Sequence, residues 1–158
     1  MTFTLDGHRS LPIEVQSLVT KSVLPTPRRA ANGVDATHRH AGGGAIQAWQ
    51  RQSFGERSVL LPPSPEAGAR AGCDLAIVGA LASASKSKAI SRTTCAIGEI
   101  SLTGQVRPVP RLEYRLREAA RLGFTTAVVP TLRREIAIPG LSIVQVDTLQ
   151  DALGAMLR

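Results

Sequence analysis

The chain has 158 residues, 43% of them apolar, with 19 Lys and Arg against 12 Asp and Glu for a formal charge of +7. That length suits one domain with one core, and the charge suits a polyanionic partner contacted mainly through phosphates, since aromatic residues make up only 3% and leave little for base stacking. No run approaches the ~20 apolar residues that span a bilayer, Met1–Ser10 lacks a basic-then-apolar leader, and two lone cysteines exclude a four-cysteine finger, so Cys73 and Cys95 are expected as buried free thiols in a cytoplasmic protein.

Thr2–Leu5 and Leu11–Val19 predict two strands about the turn pair Asp6-Gly7. In the second, Ile13 and Val15 alternate with Glu14 and Gln16, which gives one buried and one wet face. Pro25 and Pro27 bracket a rigid turn that delivers Arg28-Arg29, a pair suited to phosphate, to a neighbouring subunit or simply to solvent.

Ala36–Ala71 carries glycine, proline and polar residues with no sustained period, and so long an irregular insert is uncommon inside a domain. His38-x-His40 lacks further ligands, and Gly42-Gly43-Gly44 lacks the downstream Gly-Lys-Ser/Thr of a phosphate loop. No metal site and no bound cofactor is therefore expected. Moving the codons of His38–Ala45 by one base can encode Ile-Ala-Met-Leu-Val-Val-Val. The expectation is a frameshifted or decayed segment whose frame is restored before Gly72, and the plainer alternative is a divergent, disordered loop.

From Asp74, Leu75, Ile77, Val78, Leu81 and Ala82 predict a strongly apolar helix that ends in the polar run Ser83–Lys88, whose lysines suit a helix C-terminus. Ala96–Ile100 reads as a strand, Thr103-Gly104 as a turn, and Gln105–Arg107 as a second strand stopped by Pro108 and Pro110. Leu112, Leu116, Ala119 and Ala120 recur at helical spacing, with Arg115 beside the stripe, and Arg111, Glu113, Arg117, Glu118 and Arg121 take the other face. Gly123 stops that helix. Phe124–Val129 and Ser142–Val146 read as buried strands, with Pro139-Gly140 turning the chain between them. Thr148 and Asp151 read as a capping box for a last helix carrying Leu149, Ala152, Leu153, Met156 and Leu157 inward.

GEISLTGQVRPVP, followed by Leu112–Phe124 and AVVP, resembles the C-terminal Lon-protease-like domain of the bacterial RadA/Sms DNA-repair ATPases. Leu11–Asp35, Gly72–Ala80 and the closing VDTLQDAL carry the same resemblance, which disappears over Ala36–Ala71. It implies a single domain over 1–158 with an α+β fold of the Lon proteolytic-domain type, a ribosomal-protein-type βαβ sandwich left incomplete where 36–71 has diverged. It further implies a non-proteolytic scaffold that supports a hexameric ring and DNA association in repair and recombination.

Lon-type peptidases use a serine whose proton passes to a lysine. The resemblance maps that serine to Gly72 and that lysine to Arg115. Glycine offers no nucleophile, and arginine stays protonated at any working pH. No Walker motif occurs either. The expectation is therefore a chain with no catalytic residues that is not an enzyme; the competing readings are an active Ser-Lys peptidase and a remnant without function of its own. From Arg107 to Arg134 there are seven arginines against two glutamates, and the candidate nucleic-acid contacts are Arg28, Arg29, Arg107, Arg111, Arg117 and Arg121. An ion-paired helix face, with Glu113 and Arg117 at i,i+4, is the plainer reading of the same charges.

Overall fold

Strand β1 (Thr2–Asp6) pairs antiparallel with β2 (Arg9–Ile13), with Asp6 opposite Arg9. The computed structural model describes residues 1–21, 30–31, 57–61, 72–101 and 103–157. Gly7, at φ 57°, makes the tight reversal that a side chain would resist. Thr2, Phe3 and Thr4 are all buried, so β1 is covered on both faces. The second predicted strand, Leu11–Val19, is divided in two: β2 ends at Ile13, and the chain then crosses to another sheet. Val15 packs against the core on the way.

That other sheet holds β3 (Leu18–Lys21), β4 (Ala30–Ala31) and β5 (Arg57–Leu61), with β5 in the middle. It runs antiparallel to β3 and parallel to β4. The strand β5 corrects the expectation that Ala36–Ala71 is irregular throughout. Val59-Leu60-Leu61 is a short apolar run stopped by Pro62-Pro63, a strand signal lost when composition is averaged over the whole segment. Arg28, Arg29, His38, His40 and Gly42–Gly44 lie outside the described residues, as does the stretch to which the frameshift expectation applies.

A parallel sheet of β6 (Thr94–Ala96), β9 (Thr126–Pro130) and β10 (Ser142–Val146) forms the centre of the fold, in the order β10-β9-β6. Side chains of the middle strand alternate between two apolar clusters, as period two requires. Val128 joins the cluster built by α1 (Asp74–Lys86) and α3 (Leu149–Met156). Ala127 and Val129 join the one built by α2 (Leu112–Arg121) and Phe3 of β1. Phe3 meets Phe124 edge to face, with ring centroids 5.4 Å apart. The strand β10 is the edge of the sheet and only Val146 is fully buried, which corrects the expectation of a buried strand.

The helix α1 starts at Asp74, whose buried Oδ2 accepts from the Ile100 amide at 3.2 Å. It ends at left-handed Ser87. A Cβ at Gly79 would lie 2.8 Å from Met156 Sδ, so the glycine is what lets α3 approach α1. The predicted strand Ala96–Ile100 is broken at Gly98, whose amide turns to the Gly72 carbonyl at 3.0 Å. Past the break, β7 (Glu99–Ile100) and β8 (Val106–Arg107) make a short hairpin. Thr148 caps α3, its Oγ1 accepting from the Asp151 amide at 3.2 Å and donating to the Asp151 carboxylate at 2.6 Å. The result is a mixed α/β domain with a parallel sheet. No helix of the described residues is long and apolar enough to cross a membrane.

Candidate functional site

Gly72 stands immediately before α1 at φ 97°, a conformation that side chains rarely adopt. Its carbonyl accepts from the Gly98 amide at 3.0 Å and from Thr2 Oγ1 at 3.4 Å. A Cβ built at this position would lie 3.0 Å from Arg115 Nη1 and 3.0 Å from Val109 Cγ1. The two positions taken from the resemblance, Gly72 and Arg115, are thus neighbours in space. Arg115 is only 2% exposed because helical spacing puts it on the inner face with Leu112, Leu116 and Ala119. Its Nη1 donates to the Phe3 carbonyl at 2.7 Å. Burial pushes the Arg115 pKa down, while the charges of Cys73 and Glu99 push it back up. A guanidinium so placed remains a donor and cannot take a proton from a nucleophile.

The four candidate phosphate contacts that lie among the described residues divide into two kinds. Arg107 on β8 and Arg111 at the start of α2 are exposed, and among the described residues neither forms an ion pair. Arg117 and Arg121 are exposed but paired. Arg117 Nη2 donates to Glu113 at 2.8 Å, and Arg121 Nη2 to Glu118 at 2.6 Å. Arg134 Nη2 shares Glu113 at 2.5 Å. A side-chain hydrogen bond from Arg117, helped by the charges of Arg134 and Arg117, holds the Glu113 carboxyl below the usual range. Arg121 does the same for Glu118.

Tyr114, His8 and Arg9 were not anticipated from the sequence. The Tyr114 hydroxyl donates to the His8 carbonyl at 2.9 Å, which fastens the β1–β2 turn to the outer side of α2. Arg111 and Tyr114 share a helix face by their i,i+3 spacing, and this much was readable. The docking of a turn from the far end of the chain was not. Among the described residues, no three His, Cys, Asp or Glu side chains gather closely enough to hold a metal ion.

A family model described as Subunit ChlI of Mg-chelatase matches residues 48–132, more than half of the chain, and the chain belongs to that family. The curated relatives that the chain matches include DNA repair proteins named RadA. The protein from Mycolicibacterium smegmatis is 40% identical over 99% of this chain and 33% of its own length. That from Pseudomonas aeruginosa is 34% identical over 98% and 35%, and that from Streptococcus pneumoniae 32% over 90% and 36%. The chain therefore spans about a third of the RadA proteins it matches.

Two expectations are corrected by these matches. The likeness does not vanish over Ala36–Ala71, because the family match begins inside that segment, at residue 48. The expectation that the chain is not an enzyme is also overturned. RadA is a DNA-dependent ATPase and the matching family is an AAA+ one, so the family points to ATPase activity. The missing serine–lysine pair, which the resemblance put at residues 72 and 115, says nothing about nucleotide hydrolysis.

Proposed function

We propose that this chain serves a RadA-type DNA-dependent ATPase as its Lon-like, non-proteolytic domain, contacting DNA and joining subunits into a hexameric ring in the cytoplasm. The observation that carries the reading is the exposure of Arg107 and Arg111, neither of which forms an ion pair among the described residues. Arg28 and Arg29 belong to the same proposed set. Guanidinium groups of this kind bind phosphates without reading sequence. The meeting of Gly72 with Arg115 supports the Lon-like assignment, because the two positions of a serine–lysine pair lie together with neither side chain retained. The buried thiol of Cys95, which forms no disulfide among the described residues, suits a reducing compartment. Within the ATPase, such a domain holds the DNA on which nucleotide turnover depends.

The test is anisotropy of a labelled oligonucleotide titrated with this chain at several salt concentrations. Affinity should fall steeply with salt, by ~0.7–0.9 of a log unit per phosphate contact for each log unit of salt. Arg107→Glu with Arg111→Glu should weaken binding and flatten that slope. Binding indifferent to salt and to both reversals would sink the DNA contact. Sedimentation of the same sample checks assembly, and a monomer at every concentration would sink the ring.

A further inference from the structure

The outer side of α2 carries more than charge. Tyr114, the one tyrosine of the chain, is 45% exposed, and its hydroxyl is fixed to the His8 carbonyl at 2.9 Å. Held at its tip, the ring is an immobilised plate, so little side-chain freedom remains to be lost on contact. Arg111 lies one turn before it and Arg117 one turn after, both exposed, and the docked turn adds exposed His8 and Arg9. The two carboxylates of α2, Glu113 and Glu118, are already engaged by arginines. The α2 side of the face therefore offers an approaching anion several donors, and both of its carboxylates are already held by arginines.

Resting on the DNA-contact reading above, we infer that Tyr114 is a stacking platform for an unpaired base, which makes single-stranded DNA the form this face selects. In a duplex the base faces are covered by their neighbours, and a helix side can reach only the backbone or the groove edges. A single strand leaves base faces open. A ring with Arg111 one turn before it and Arg9 on the docked turn then takes one base while these guanidinium groups take the adjoining phosphates. One ring is enough for a platform of this kind, so the low aromatic content limits the number of stacked bases and not the mode. A basic protein partner is the poorer fit, because both carboxylates of α2 are already held by arginines.

The chain is titrated into labelled oligo-dT and into a labelled duplex of the same length, with Tyr114→Ala and Tyr114→Phe beside the unaltered protein. Stacking of one base is lost in Tyr114→Ala, so oligo-dT binding should weaken about 5- to 100-fold. Duplex binding should stay within about twofold, as a phosphate-only contact requires. Tyr114→Phe keeps the ring and loses the tether, and should retain most of the single-strand affinity. Circular dichroism checks that the exposed substitution leaves the fold intact. If Tyr114→Ala weakens both forms equally, or weakens neither while the unaltered chain binds DNA, the stacking role is wrong and the phosphate contact stands. If the unaltered chain binds neither form, both readings fall.

Discussion

Arg115 Nη1 donates to the main-chain carbonyl of Phe3 at 2.7 Å, joining the inner face of α2 to the first strand of the chain. Both residues are almost wholly buried. Replacing the guanidinium by an apolar chain of similar length leaves that carbonyl facing a hydrophobic wall. Arg115→Met should therefore cost about 1–3 kcal/mol. For a domain of this size that lowers the thermal midpoint by roughly 2–10 °C. An unchanged midpoint would show that the bond is replaced by another donor.

Gly72 is held at φ 97°, with Arg115 and Val109 both 3.0 Å from where a Cβ would stand. Gly72→Ala should destabilise the domain by about 1–3 kcal/mol through backbone strain alone. Urea unfolding of Gly72→Ala, Arg115→Met and the double variant tests the contact between them. The double variant should lose less than the sum of the two, because neighbours that crowd each other are not additive. Strict additivity would mean that the crowding is absent.

Glu113 accepts from Arg117 at 2.8 Å and from Arg134 at 2.5 Å. Glu113→Gln should free both arginines and raise affinity for oligo-dT at low salt, whereas Arg121→Ala should change it little because Glu118 already occupies Arg121. A fall in affinity on Glu113→Gln would show that the carboxylate orders the arginines for binding instead of competing for them.

Acid should remove the same ion pair. The Glu113 carboxyl is held below its usual range, first by the hydrogen bond from Arg117. A depressed carboxylate pKa stabilises the fold above the unfolded-state value, and that contribution disappears as pH falls through the folded value. Thermal midpoints of the unaltered chain and of Glu113→Gln should differ slightly at neutral pH and converge on acidification below the carboxylate range. The difference should also shrink in high salt, since these side chains face solvent.

Thr148 Oγ1 accepts from the Asp151 amide at 3.2 Å and starts α3. Thr148→Ala should cost about 1 kcal/mol. Thr148→Asn, which can accept the same bond, should recover most of it in a melting series.

Elements with local causes were legible from the residues. The stripe Leu112, Leu116 and Ala119 with Gly123 behind it gave α2, and Thr148 with Leu149, Ala152 and Leu153 gave α3. The start of α1 at Asp74 was legible for the same reason. What failed depended on partners distant in sequence. Nothing within Leu11–Val19 says that its two halves serve different sheets. Nothing within Ser142–Val146 says that it lies at an edge, since an apolar run reads alike in the middle and at the side of a parallel sheet. The candidate site divided along the same line. Glu113 and Arg117 announced their pairing by spacing, while Arg134 arriving at the same carboxylate, and His8 at Tyr114, required the tertiary fold.

The burial of β1 on both faces has a consequence for the order in which the fold is made. Its partners are Cys95 and Ile97 near the middle of the chain and Arg115 and Phe124 further on. In chain order the hairpin precedes each of these partners, so during synthesis they are translated after it. An isolated two-stranded hairpin is marginal in water, so Phe3 has no stable home until α2 and β9 exist. Loop closure over such separations makes folding slow, with the transition waiting on the second half of the chain. A nascent domain halted before Phe124 would therefore present β1 as an open, unprotected strand.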